Sequence, residues 1–515
     1  MRGRTSAASS PSTERRYLLD PRVRRLPGGL LLGGEPVRLV RLSPRGAAAL
    51  EAALAPAGGG APVEGSGALL EHLVDAGLAH PRPDHRCRCF PVSVVVPVRT
   101  PPASLASLLA SLRAAGAPVV VVDDGSPDGG LAARRAAGAA GATVVLRPRC
   151  GGPAAARNEG ARREPAPSSE LLLFLDADTV LGPGEALRLL ESLAAHFHDE
   201  RVGLVAPRVR AVPAGRAGAI ASYEERESPL DLGGTPGLVG TGRRLSYVPA
   251  AALACRRRAL GEVGGFDESL RYGEDVDLVR RLQAAGWAAR YEPSVAVGHL
   301  VRRGPGGLAR QRLGYGSAAA PLDRRHPGSV APYAGSPFAA AAAGCAALAV
   351  ARWPGRLFLL GAAGAVAATV APAVPLRRRL AAAGTPSPAV TAAGLTAGSS
   401  LAATRALAQA CCRAWWPLLL PLAAAPATRR PVGRLVGAAF LSRHLPGALA
   451  SARGCRRPLD RVRRLGSHLA LGALDDSSYG CGVLLGCVRE RSVGALLPAL
   501  RRTPRVPRGC SGPPA

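Results

Sequence analysis

The chain has 515 residues, too many for one ordinary core, so two or three domains are expected. Lysine plus arginine number 66 against 36 acids, giving +30. Every base is arginine, and there is one isoleucine (Ile220) and one asparagine (Asn158), so part of the charge is compositional bias. The charge suits anionic lipid headgroups or a diphosphate-bearing ligand, while 4% aromatics and no reader motif set nucleic acid aside.

Residues 1–16 are polar and small, without the apolar stretch of a signal peptide, and read as a disordered lead on a protein made in the cytosol. The 11 scattered cysteines form no disulfide framework, which fits a reducing compartment. Residues 17–82 read as a small module. Leu30–Gly34 and Val37–Leu42 predict a β-hairpin, Ser43 caps a helix starting at Pro44, and a second helix runs from Gly67 to Ala76. Strands with two short helices suggest a winged-helix-like unit. It resembles the small peptide-recognition domains attached to enzymes that modify ribosomally made peptides; the alternative is a structural cap. A Pro/Arg/Cys linker covers 81–90. Its His85-Arg86-Cys87-Arg88-Cys89 offers three candidate zinc ligands, but no second cluster matches it.

Residues 91–325 alternate strand and helix, predicting an α/β domain with a mostly parallel, Rossmann-like sheet. Strands are expected at Val92–Val98, Val119–Val122, Thr143–Leu146, Leu171–Leu175 and Val202–Val205. Helices are expected at Ser104–Ala115, Leu131–Ala139, Pro153–Arg163 and Gly184–Phe197. The apolar run Leu171–Leu175 stops in Asp176-Ala177-Asp178. Carboxylates at that spacing, at the carboxyl end of a buried strand, can share one hard cation that also holds substrate phosphates. Val119–Val122 likewise stops in Asp123-Asp124, which could instead form an Asx-turn or a helix cap. Downstream come Gly264-Gly265-Phe266-Asp267-Glu268 and Gly273-Glu274-Asp275-Val276-Asp277, whose acids also suit a helix amino terminus.

Residues 326–515 are Ala-rich and helical. Pro327–Ala351 and Leu357–Leu376 carry no charge over lengths that suit membrane spans, and Arg377-Arg378-Arg379 follows the second. Trp415, Trp416 and Leu418–Leu420 are a further candidate for the interface. The competing reading is a soluble helical subdomain. Membrane association at the cytoplasmic face is the favoured expectation.

Four elements in this order resemble the family 2 glycosyltransferases, which have the GT-A fold: the Val92–Val98 strand, Asp123-Asp124, Asp176-Ala177-Asp178 and Gly273-Glu274-Asp275. The resemblance implies a UDP-sugar donor and Mg²⁺ or Mn²⁺. It places Pro97, Asp123, Asp124, Arg157 and Asp176 at the donor nucleotide, Asp178 and Asp176 on the metal, Asp275 as general base and Glu274 beside it. His299 stands where many such enzymes place a late histidine, a further candidate ligand. Ala156-Arg157-Asn158-Glu159-Gly160 matches the family's A-R-N-x-G segment. Two features depart from the pattern. The first strand ends Pro97-Val98-Arg99-Thr100, and Gln311-Arg312-Leu313-Gly314-Tyr315 does not match the Gln-x-x-Arg-Trp motif of processive synthases.

Ser228–Gly233, Ser246–Leu253, Tyr315–Leu322 and Leu474–Gly480 narrow the likeness to the mycofactocin biosynthesis glycosyltransferases, over about 17 to 500. That group implies an inverting transfer of hexose from UDP-glucose to a peptide-derived redox cofactor, with other maturation enzymes of the pathway as further partners. The alternatives are a cell-envelope lipid or polysaccharide glycosyltransferase, and a non-catalytic sugar-nucleotide-binding scaffold.

Overall fold

The computed structural model describes residues 16–55, 66–82, 90–163, 169–213, 215, 218–302 and 304–500. Residues 1–15, the His85–Cys89 cluster and most of the expected linker lie outside the described residues. The chain divides into two compact units at 303/304.

The first unit begins with the small module. Strands Arg24–Leu26, Leu30–Gly33 and Arg38–Arg41 form an antiparallel meander, and Arg16–Leu19 pairs with Ala79–Arg82. Ser43 caps the helix Pro44–Leu54, its Oγ accepting the Gly46 N–H at 3.1 Å. A second helix, Gly67–Asp75, closes over the sheet, and Leu31, Leu42, Leu50, Leu73 and Leu78 meet in one core.

The larger sheet is mostly parallel. Thr143–Arg147, Val119–Asp124, Val92–Val98 and Leu171–Leu175 lie side by side in that order, all parallel. The first strand in sequence thus sits in the middle. Strand order reverses beside it, so the crevice at the carboxyl ends of Val92–Val98 and Leu171–Leu175 is the topological switch point, where open α/β sheets bind ligands. Apolar side chains pack on both faces, which explains the unbroken valine and leucine runs. Helix Pro153–Arg162 lies close on the sheet: a Cβ at Gly160 would stand 2.3 Å from Val95 Cγ1.

Beyond Leu171–Leu175 the sequence reading missed elements. Ala252–Arg256 inserts antiparallel between Leu171–Leu175 and Val202–Val212, and Ala288–Leu300 adds parallel to the latter. Val202–Val212 runs seven residues past the expected end at Val205. Its register with Ala288–Leu300 jumps from Pro207 opposite Glu292 to Arg208 opposite Ala296, so the bulge falls on the partner strand at Pro293, which cannot donate to a ladder.

The second unit is helical and starts earlier than the expected boundary at 325/326. Helix Pro305–Ser317 belongs to it, because Arg312 Nε donates to the buried Asp475 of helix Pro458–Glu490 at 2.8 Å. Asp476 is held by His444 at 2.8 Å and Arg443 at 3.2 Å. The expected span Pro327–Ala351 is corrected. Only Pro337–Ala351 is helical, because Ala334–Gly335 pairs with Ala499–Leu500 and Ser336 then caps the helix. Fifteen residues reach about 22 Å, short of a bilayer core of about 30 Å. Among the described residues one stretch, Arg356–Ala382, is long and apolar enough to cross a membrane, with mean hydropathy 2.0 over its best window. It is interrupted between Val370 and Ala373.

Candidate active site

Asp176 follows the strand Leu171–Leu175 directly, and its N–H donates to the Ala251 carbonyl at 2.9 Å. Three residues on, Thr179–Val180 forms a short strand against Ala288–Leu300, with Thr179 opposite His299. This pairing brings His299 Nε2 to 3.2 Å from Asp178 Oδ1. One ligand atom from each of Asp176, Asp178 and His299 lies within 4.8 Å of the others. Burial opposes the charge on Asp178, but the His299 hydrogen bond and charge hold its carboxyl below the ordinary value. Burial likewise opposes protonation of His299, and Asp178 overrides it, raising the imidazole. Two carboxylates and an imidazole converging from one strand end and one neighbouring strand fit a divalent cation.

Arg157 joins this acid pair to the second cluster. Its side chain is buried; Nη2 donates to Asp176 Oδ1 at 2.7 Å and Nη1 to Glu274 Oε1 at 2.8 Å. Nη2 also reaches the Ala250 carbonyl at 3.3 Å. Burial works against the guanidinium charge, yet Asp176 and Glu274 raise its pKa, so it remains a cation between two carboxylates. Neutralising Arg157 would leave Glu274 buried and unpaired, a loss of about 3–5 kcal/mol for a buried pair.

Glu274 and Asp275 open the helix Glu274–Ala284, which Gly273 enters with φ 81°. Asp275 is half-buried. Its Oδ2 accepts the Ala250 N–H at 3.1 Å and its Oδ1 the Val276 N–H at 2.8 Å. Burial, then the neighbouring Glu274 carboxylate, push the Asp275 carboxyl up to about 7, outweighing those N–H groups and Arg157. A carboxyl poised there can accept a proton near neutral pH. Asp277 instead pairs with Arg281 at 2.7 Å, and Arg281 donates to the Val263 and Gly265 carbonyls, a structural task.

The remaining expected residues stand farther along the sheet, Pro97 one strand over and Asp123 and Asp124 two. Asp123 lies opposite Val98, and Pro97 opposite Val122, at the carboxyl ends of adjacent strands. Asp123 accepts the Ser126 N–H at 2.9 Å and also meets the Ser126 hydroxyl, so its side chain closes the turn over 123–126. Asp124 accepts N–H groups from Gly151 at 2.9 Å and Gly152 at 2.8 Å and pairs with Arg147. It thereby holds the turn that leads to the helix bearing Arg157. Neither acid touches the Asp176 cluster.

Three residues have contacts here that residue type alone does not assign. Ala250 and Ala251 connect Asp176, Arg157 and Asp275 through backbone groups alone. Asn158, to which the sequence assigns no role, exchanges hydrogen bonds of 2.8 and 2.9 Å with the Phe266 backbone and donates to Glu268 at 2.9 Å. It pins the Gly264–Glu268 turn beside the site.

A family model described as glycosyl transferase family 2 matches residues 93–257. A pre-mycofactocin glycosyltransferase of Mycobacterium tuberculosis is 38% identical over 489 residues, 94% of this chain and 97% of that protein. The succinoglycan biosynthesis protein ExoU of Rhizobium meliloti is 32% identical over 209 residues, 40% of this chain and 58% of that one. Among solved structures, glucosyl-3-phosphoglycerate synthase from Mycobacterium tuberculosis matches with a TM-score of 0.31 and 20% identity, covering 46% of this chain and 80% of that one.

Proposed function

The chain belongs to the family 2 glycosyltransferases, in the group of the pre-mycofactocin glycosyltransferases, and we propose that it moves glucose from UDP-glucose onto a peptide-derived redox cofactor precursor by one inverting displacement. Its mixed sheet is the GT-A fold of that family. The observation that carries the reading is one continuous constellation. Arg157 bridges Asp176 to Glu274, and Ala250 bridges Arg157 to Asp275.

Asp176, Asp178 and His299 would hold Mg²⁺ or Mn²⁺. A bound cation supplies Lewis-acid stabilisation of the departing nucleoside diphosphate. Arg157 orients Asp176 for that task through the 2.7 Å bond from Nη2. Asp275 removes the proton from the acceptor hydroxyl as it attacks the anomeric carbon. Glu274, paired with Arg157, raises the proton affinity of Asp275. Pro97 and Asp123 line the nucleotide side, and Asp124 shapes it through the Gly151–Gly152 turn. The direct test is incubation with UDP-glucose, Mn²⁺ and the peptide-derived acceptor. Successive hexose mass additions are expected; an unmodified acceptor, with UDP-glucose left intact, would remove the assignment.

The protein also associates with the cytoplasmic face of the membrane in this reading. Leu357, Leu359, Leu360, Val366, Val370 and Val374 are exposed along Arg356–Ala382, and Arg377-Arg378-Arg379 would face anionic headgroups. Full-length protein should sediment with vesicles containing anionic lipid. Recovery wholly in the supernatant at low salt would leave a soluble helical subdomain.

A further inference from the structure

Two arginines close to the support of Asp275 are taken up by the N-terminal module. Arg243 donates through Nη1 to the Glu35 carbonyl at 2.9 Å and through Nη2 to the Asp75 carbonyl at 2.8 Å. Asp75 ends the helix Gly67–Asp75, so the guanidinium sits at the negative end of that helix. Arg244 donates its N–H to Glu35 Oε2 at 3.1 Å, and its Nε lies 3.7 Å from Oε1. Glu35 is itself held by Arg22 at 2.6 Å, and its own N–H donates to the Ala76 carbonyl at 2.8 Å. The module thus grips residues 243–244 from a hairpin turn and a helix end together.

The gripped segment touches both ends of the helix that carries Asp275. On one side, the turn Gly240–Leu245 closes through the Gly240 N–H on the Leu245 carbonyl at 2.7 Å. It rests on Gln283, whose Oε1 accepts the Thr241 N–H at 3.2 Å; a Cβ at Gly240 would fall 1.7 Å from Gln283 Nε2. Gln283 lies in the last turn of Glu274–Ala284. On the other side the chain runs through the buried Leu245, Val248 and Ala250. Ala250 then donates to Asp275 at the first turn of the same helix and accepts from Arg157. A cap that merely covered apolar surface would need no such directed contacts to backbone carbonyls.

We propose that the module is a positioning element for the transfer step: through Arg243 and Arg244 it fixes the 240–251 segment, and with it the Ala250 contact that orients the Asp275 carboxylate. Arg243 and Arg244 touch no reacting atom and act through Asp275. The proposal rests on Asp275 being the base. A carboxylate displaced by a fraction of an ångström loses alignment with the acceptor hydroxyl while the cation and diphosphate contacts of Asp176 and Asp178 stay in place. The chemical step should therefore suffer and donor binding should not.

The experiment uses the full-length chain with UDP-glucose, Mn²⁺ and the peptide-derived acceptor. Arg243→Ala is expected to lower kcat about 10–100-fold. The Kd for UDP with Mn²⁺ and the acceptor KM should stay within about twofold. Arg243→Lys, which keeps one donor to a carbonyl, should recover part of kcat. Unchanged kcat in folded Arg243→Ala would overturn the proposal. So would a raised acceptor KM at unchanged kcat, which would make the module an acceptor holder. Should Arg243→Ala not fold, Glu35→Gln removes the charge that Arg244 faces and must show the same split, or the proposal fails. Asp275→Asn separates the two levels. Wild-type turnover there removes the base assignment, whereas loss there with an unaffected Arg243→Ala removes only the positioning role.

Discussion

Asp275→Asn is expected to lower the transfer rate about 10³-fold while UDP still binds, because a general base contributes about 10²–10⁴ and touches only the acceptor. Asparagine keeps an oxygen for the Ala250 N–H but cannot take a proton. The wild-type rate should climb with pH and level off above about 7, where Asp275 becomes ionised. Stability should run the other way. The folded pKa lies above the ordinary 3.8, so the native state holds this proton more tightly than the unfolded chain does. That contribution is complete below 3.8 and is lost as the pH rises through about 7. At about pH 8 the inactive Asp275→Asn protein should thus melt no lower than wild type. A thermal scan beside the rate profile checks both. Wild-type turnover in the variant would remove Asp275 from the mechanism.

Asp178→Ala should abolish Mn²⁺-dependent UDP binding. The loss should exceed the ~10–100-fold that removal of an outer partner of a metal ligand costs. The reason is geometric: Asp178 faces His299 at 3.2 Å and shares the cluster with Asp176, so its removal leaves one carboxylate, already paired to Arg157, and one imidazole. Folding should survive, since Asp178 is partly exposed and its backbone contact to Leu300 does not use the side chain. Calorimetry with UDP, with and without Mn²⁺, reads the effect. An unchanged metal-dependent affinity would move the cation elsewhere.

Much of the acid geometry was legible before folding, because strand ends write themselves into sequence. Leu171–Leu175 stops in Asp176 and Asp178, and a buried strand that meets carboxylates must surface there. Asp275 was legible as an acid beside a glycine opening a helix. His299 was harder. Its place beside Asp178 depends on Thr179–Val180 pairing with the far end of a 13-residue strand, and Pro293 inside that strand hides its continuity. Ala250 and Ala251 were not legible at all, since backbone N–H and carbonyl groups leave no trace in residue type. Ala252–Arg256 is not legible as a strand because five residues rich in alanine have little β-propensity; its flanking strands decide it. Asn158 stood out by rarity, but only the folded chain supplies the Phe266 backbone it pairs with. The early start of the helical unit followed from Arg312, one arginine among many in sequence and distinguished only by the buried Asp475 it meets.

The linkage formed in the reaction tests the proposed chemistry most directly. With α-linked UDP-glucose as donor, one displacement driven by Asp275 from the face opposite the diphosphate must invert the anomeric carbon. Proton NMR of the glycosylated acceptor should show the large anomeric coupling of a β-glucoside. The small coupling of an α-glucoside would contradict a single displacement and the base assigned to it.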